Sequence, residues 1–246
     1  MTQLRDASIL VVGASGGLGR AIARLLAEQG ARLILSGRDR ARLEALNLPG
    51  TIITADLTDP ADIADLVARA TDVDGRLDGI VSAAGVVAFG AATEVTDATL
   101  ERLLAVNTLA PIRLLRAARQ ALAESADAGR GPFLVTLSGV VSESPTANLA
   151  AYSASKAALA AFDKAAGREL RRSGIRILDA RPGHTETELS AHPIAGEAPR
   201  LPAGHSPALV ARRIVDAILA DEADLPSSAF SVPAGNPSRE GSGSGG

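Results

Sequence analysis

The chain has 246 residues, a net charge of −3 and 46% hydrophobic residues, which suits one domain with a sizeable core, and no apolar run is long enough to span a bilayer. Arginines are scattered among carboxylates and aromatics make up 2%, which excludes a basic stripe or a stacking platform for nucleic acid. Cysteine is absent, which excludes disulfide and thiol chemistry, and with a first strand predicted close to the N-terminus a cytoplasmic protein is expected.

Apolar runs bounded by turn residues predict strands over 7–12, 32–36, 51–54, 77–82, 132–138 and 175–181, with a helix between each pair. Such alternation implies an α/β fold: a single doubly wound domain with a parallel sheet of six or seven strands, whose ligands gather at the strand C-terminal ends. The first strand runs into Gly13-Ala14-Ser15-Gly16-Gly17-Leu18-Gly19, and a helix follows with Leu18, Ile22, Leu25 and Leu26 at helical spacing and Gly30 as its stop. Strand, glycine loop and helix together suit a pyrophosphate, because the backbone can approach it closely and the first amides of the helix point at it. The spacing is G-x-x-x-G-x-G, not G-x-G-x-x-G, so an ordinary turn stays open at this point.

The second strand ends in Ser36-Gly37-Arg38, with no acid to meet a ribose 2′-hydroxyl. The Arg38 guanidinium can hold a 2′-phosphate and stack on adenine, while Asp39 is read as the cap of a helix starting near Arg40, which favours NADP over NAD. Asp59 caps the next helix with Pro60 in its first turn, so Asp56 is left without a capping duty and fits either a ligand contact or a surface turn. A helix from about Asp97 carries Asn107 and, four residues on, Pro111. Proline has no amide hydrogen and crowds the carbonyl at i−4, so a kink that frees the Asn107 carbonyl is expected.

The helix predicted from Leu149 to Arg172 holds the only tyrosine, Tyr152, and one of only two lysines, Lys156. At i and i+4 they share a face, and an ammonium near a phenol favours the phenolate, which makes the tyrosine a usable general acid or base. Segment 184–207, rich in Pro, Gly and small residues, is expected to be a substrate lid. His184, His192 and His205 lack a metal-site spacing and are read as loop residues, so no metal is expected. The domain is expected to span 1–226, and 227–246 to be irregular and to end in a flexible Gly/Ser tail.

Together these motifs resemble the short-chain dehydrogenase/reductase family from about residue 5 to about residue 190. Gly13, Gly17 and Gly19 match its cofactor glycines, Ser82-Ala83-Ala84-Gly85 resembles its Asn-Asn-Ala-Gly strand end, and Pro182-Gly183-His184-Thr185-Glu186-Thr187 resembles its P-G-x-x-x-T segment. The resemblance implies a Rossmann-type fold that binds NADP through Gly13, Ser15, Gly16, Gly17, Leu18, Gly19, Arg38, Asp56, Leu57, Ala84, Gly85, Tyr152, Lys156, Pro182, Gly183, Thr185 and Thr187. It also implies a tetrad of Asn107, Ser138, Tyr152 and Lys156, acting on a small carbonyl or alcohol substrate, with Asn107 supporting a water relay.

Ser138 lies fourteen residues before Tyr152, where the family most often shows thirteen, the place of Gly139 here. Ser138 is preferred because it closes the strand, with Ser142 as the alternative. Val86, Val87, Phe89, Val140 and Leu149 fit either an apolar pocket or the core. The family likeness further implies a homodimer through the alanine-rich helix and its Asn107-bearing neighbour. Two other classes stay open on the same fold: a dinucleotide-binding sensor, and an isomerase or lyase that uses the same tyrosine.

Overall fold

Strand β1 (Ser8–Val12) is buried along its whole length, and its alternate residues serve opposite layers. Ile9 and Val11 join the core on one face, with Ile22, Leu26, Leu43 and Ile214; Leu10 and Val12 join the core on the other, with Ile63, Leu66, Leu114 and Leu122. A strand covered on both faces reads as a continuous apolar run, which is why Ile-Leu-Val-Val shows no polar alternation. The structure is a computed structural model and describes residues 2–231.

The remaining strands are β2 (Arg32–Gly37), β3 (Thr51–Thr54), β4 (Gly79–Ser82), β5 (Phe133–Leu137), β6 (Arg176–Ala180) and β7 (Asp224–Leu225). All pair in parallel, in the order β3-β2-β1-β4-β5-β6-β7. The order reverses between β1 and β4, the switch point at which a doubly wound sheet opens a crevice. The seventh strand has only two residues and rests on Asp179 and Ala180.

Local chemistry sets the helix ends. Helix α1 (Gly17–Glu28) begins at Gly16 without a side-chain cap, which leaves its first amides open. Asp39 caps α2 (Arg40–Glu44) by accepting from Arg42 N, and Asp59 caps α3 (Pro60–Asp74) by accepting from Ala61 N, with Pro60 in the first turn as predicted. The kink expected at Asn107 takes a particular form. Helix α4 (Asp97–Leu104) passes through a π turn at Ala105–Leu109 into α5 (Ala110–Asp127), and Ala110 N bonds to Ala105 O five residues back. Pro111 cannot donate to Asn107, and one extra residue is looped out without breaking the helix.

Helix α6 (Ala150–Leu170) and helix α7 (Pro207–Leu219) complete the layers. Phe230 packs into the α1–α7 core, so the core reaches a few residues past 226; the Gly/Ser tail expected at the C-terminus lies outside the described residues. No described helix is long and apolar enough to cross a membrane.

Helix α1 crosses the loop before it so closely that a Cβ on Gly19 would stand 2.2 Å from the Gly13 carbonyl oxygen. Gly19→Ala is therefore expected to cost about 1–3 kcal/mol in urea unfolding, as overpacking against backbone does; an unchanged midpoint would mean that the helix has room to move away.

Candidate active site

The glycine loop is fixed by contacts that exclude a side chain. Gly13 has φ +79 and lies against the strand end after β4, where a Cβ would meet Ala84 N at 2.6 Å; a Cβ on Gly17 would meet Thr187 at 2.9 Å. The loop therefore touches Ala84 on one side and the segment after β6 on the other. A cleft of about 620 Å³ opens beside it, lined by residues that include Ser15, Gly17, Arg20, Arg42, Thr187 and Ser206. Leu18 packs on the core, so its part in the loop is to anchor the start of α1.

Gly85 joins this loop region to the tetrad candidates. A Cβ there would lie 3.4 Å from Asn107 Oδ1 and 3.6 Å from Lys156 Nζ. The π turn turns Asn107 inward, 1% exposed, and its amide is fully used: Oδ1 accepts from Val86 N at 2.9 Å, and Nδ2 donates to Val86 O at 2.9 Å and to Ser155 Oγ at 3.1 Å. Ser155 Oγ donates to the Tyr152 carbonyl at 2.7 Å, and Thr108 Oγ1 to the Ser155 carbonyl at 2.7 Å. These bonds tie the turn to α6 at the level of Tyr152 and Lys156.

Tyr152 is half-buried, and its hydroxyl makes no hydrogen bond among the described residues. Lys156 is buried, stands 5.9 Å from the Tyr152 ring centroid and donates to the Leu137 carbonyl at 2.7 Å. The two side chains meet as their spacing predicted, but burial dominates their protonation. It pushes the Tyr152 phenol up to about 12 and the Lys156 ammonium down to about 8, the latter against the pull of Asp179 and Asp163. Burial thus outweighs the lowering of the phenol expected from the ammonium.

Ser138 lies at the end of β5, but its side chain turns inward. It is 0% exposed and donates its only hydroxyl proton to Asp179 Oδ1 at 2.6 Å. Ser142, half-buried in the turn after Gly139, donates to the Gly139 carbonyl at 2.7 Å and lies 3.2 Å from Ser138 Oγ. Gly139, at the usual family position, has φ +74.

Behind the tetrad candidates lies a polar cluster that the sequence reading missed. Asp179 on β6 pairs with Arg181 Nη1 at 2.7 Å, and Arg181 also bonds to Asp224 and Glu143. Burial acts to lower the Arg181 charge, and the three carboxylates outweigh it and hold the guanidinium protonated. Asp163 on α6, 3% exposed, accepts from Thr136 Oγ1 at 2.6 Å, while its Oδ1 is buried and unbonded among the described residues. Two signals were available: an acid inside the apolar run Ile177-Leu178-Asp179-Ala180, and an acid two turns after Lys156 on the same helix face.

On the far side of the loop, Arg38 is exposed at the end of β2 and forms no hydrogen bond or ion pair among the described residues. Asp56, with Leu57 beside it, follows β3 and builds a turn: its Oδ1 accepts from Thr58 N at 2.9 Å and Thr58 Oγ1 at 2.7 Å, bonds that hold its carboxyl below the usual range. Pro182 and Gly183 follow β6; Gly183 lies against His205, and Thr185 bridges to His205. The 184–207 segment also bridges through Ala195 to Ala88, and Glu188 reaches Arg42 of α2 at 3.1 Å. A second cavity, about 260 Å³, is lined by residues that include Phe89, Ala91, Thr96, Leu149, Ala151 and Ala195. Val87 is buried, whereas Val86 and Val140 are half-buried.

Residues 7–197 match the sequence profile of the short chain dehydrogenase family. The chain belongs to this family of oxidoreductases. It is 30% identical over 210 residues to an uncharacterized oxidoreductase of Staphylococcus epidermidis, covering 82% of this chain and 88% of that one. A short-chain dehydrogenase from Sphingobium yanoikuyae, solved in complex with NADPH, superposes with a TM-score of 0.79 at 28% identity, covering 89% of this chain and 87% of the other. A 3-ketoacyl-(acyl-carrier-protein) reductase from Brucella melitensis, complexed with NADH, has a TM-score of 0.82 at 21% identity over 93% of this chain and all of its own, a likeness of fold alone.

The buried Asp163 also makes stability depend on pH. Burial raises its carboxyl from 3.8 to about 7, so between these values the native state holds a proton that the unfolded chain releases, and stability falls as pH rises. The expected slope is up to about 1.4 kcal/mol per pH unit. Urea unfolding at pH 5 and pH 7 should show this fall in the parent and a flatter profile in Asp163→Asn; equal slopes would mean that Asp163 ionises normally.

Proposed function

We propose that this short-chain dehydrogenase is an NADP(H)-dependent carbonyl reductase or alcohol dehydrogenase. One observation carries the reading: Gly13 packs on Ala84, and at the next residue a Cβ on Gly85 would lie 3.4 Å from Asn107 Oδ1 and 3.6 Å from Lys156 Nζ, so the glycine loop and the Lys156 side chain meet at the same strand end. The residues fit a dinucleotide. The uncapped α1 amides and bare Gly13, Gly16, Gly17 and Gly19 suit a pyrophosphate, with Ser15, Leu18, Ala84 and Gly85 around them, and the unpaired Arg38 suits a 2′-phosphate. The NADPH held by the Sphingobium relative supports that preference. Asp56 and Leu57 would border the adenine, and Pro182, Gly183, Thr185 and Thr187 the nicotinamide end.

Nicotinamide supplies or accepts the hydride when bound. Tyr152 gives its proton to the carbonyl oxygen in reduction and takes it back in oxidation; its unbonded hydroxyl is free for that contact. Lys156, 5.9 Å from the Tyr152 ring centroid, would hold the nicotinamide ribose and supply positive charge beside the phenol, and the Asn107 carbonyl, relieved of Pro111, would serve the proton relay. Between the two serines we assign the substrate-oxygen role to Ser142 rather than Ser138, and their hydrogen bonds support that choice. Ser138 spends its proton on a buried carboxylate, a charge-assisted bond, whereas Ser142 gives up only a neutral carbonyl contact near the surface. Segment 184–207 acts as the lid over an apolar substrate pocket within the 1–226 domain, and α5 and α6 form a homodimer, with Leu109 exposed at the head of α5.

Three measurements test this. Tyr152→Phe should bind NADPH normally and reduce a panel of ketones and aldehydes about 10²–10⁴-fold more slowly; turnover at the parent rate would remove the proposed acid. Steady-state kinetics should show a preference for NADPH that Arg38→Asp reverses, since a carboxylate repels a 2′-phosphate and accepts from a 2′-hydroxyl; equal efficiency with NADH in the parent would count against it. Ser142→Ala should lower kcat roughly a hundredfold, about 2–4 kcal/mol of transition-state binding. If instead Ser138→Ala alone abolished turnover with the fold intact, the serine assignment would revert.

A further inference from the structure

The face of α6 that carries Lys156 toward Gly85 carries Asp163 toward the sheet two turns later, and both side chains are buried. Thr136 of β5 donates to one Asp163 oxygen at 2.6 Å, which fixes the plane of the carboxyl, and leaves Oδ1 buried without a hydrogen bond among the described residues. A carboxyl half-satisfied in an apolar interior is costly, and an aliphatic or amide side chain of similar size would be cheaper. The charged groups that act on it are Lys156 on its own helix and Asp179 on β6, whose charge is shared with Arg181. Lys156 in turn is acted on by Asp179 and Asp163. Asp179 exerts the larger pull on Lys156 but is locked in an ion pair with Arg181 and a bond from Ser138, so Asp163 is the acid whose charge can still change under the lysine.

We propose that Asp163 is a positioning residue for Lys156: a buried carboxyl, aimed by Thr136, that keeps the lysine ammonium charged at neutral and mildly alkaline pH. The lysine needs the help because burial works against its charge, and the same burial keeps the two groups poorly screened from each other. As the carboxyl loses its proton, the ammonium gains a counter-charge and holds its own proton to higher pH. The inference rests on the reading of Lys156 as the partner of Tyr152, but its test does not.

With only two lysines in the chain, ¹³C-lysine labelling gives two side-chain signals, and Lys164→Arg leaves that of Lys156 alone. Its titration is expected to show a midpoint near 8 and a smaller inflection near neutrality, where Asp163 ionises. Asp163→Asn should remove the inflection and move the midpoint down by about one unit or more. A midpoint that stays in place, or a parent titration with no second inflection, overturns the proposal. Should Asp163→Asn fail to fold, Thr136→Val serves: with its hydrogen bond gone, Asp163 ionises later and the inflection moves to higher pH, and an unmoved inflection counts against the proposal. The alkaline limb of the kcat/KM profile for carbonyl reduction should shift with the Lys156 midpoint while the thermal midpoint does not fall, which a merely structural carboxyl would not produce. A shifted lysine titration in a protein with no turnover would uphold this inference and reject the catalytic reading.

Discussion

The Asn107 side chain is the interaction on which the arrangement of the crevice depends. A single amide, buried to 1%, is bonded on its oxygen and its nitrogen to the backbone of Val86 and, through a second hydrogen, to Ser155. It thereby joins the chain leaving β4, the helix pair α4–α5 and the helix that presents Tyr152 and Lys156. An aspartate would keep the acceptor and lose both donors, and no shorter side chain spans the gap. Buried networks of this kind hold one geometry because each missing bond leaves a neighbour unsatisfied.

The π turn is the backbone counterpart of that constraint. An unbroken α-helix from Asp97 to Asp127 would rotate each residue about 100° from the last, and the inserted residue resets the phase between the two halves. Leu103 can then face the core on one half and Leu114, Ala118 and Leu122 on the other, while Asn107 and Thr108 between them both point at α6. Proline at 111 makes the insertion cheap, since the bond it forgoes was not available to it.

Much of this was legible in the sequence, for identifiable reasons. Six strand positions and the caps at Asp39 and Asp59 follow from local chemistry, and the i, i+4 pairing of Tyr152 and Lys156 needs nothing beyond helical geometry. Those features depend on neighbours in the chain. The inward turn of Ser138 depends on Asp179, forty-one residues on, and the state of Lys156 on how much water the fold excludes, so neither could be read from spacing. The π turn was half visible: Pro111 marks the place, but whether the helix bends or absorbs a residue is decided by what Asn107 finds to bond with across the gap.

The segment after β6 is stitched down at intervals. Thr185 bridges to His205, Ala195 bridges to Ala88, and Gly196 sits so tightly on Phe89 that a Cβ would stand 2.0 Å from its carbonyl oxygen. What looks like one long loop is mechanically two short spans between fixed points, residues 186–193 and 197–204. Substitutions at the exposed positions 197–200 leave the anchors untouched, whereas Thr187, which packs on Gly17, and Gly204, where a Cβ would stand 2.7 Å from His184, belong to the fixed frame. A lineage could therefore reshape the mouth of the crevice at that exposed stretch, exploring new substrates without renegotiating the fold.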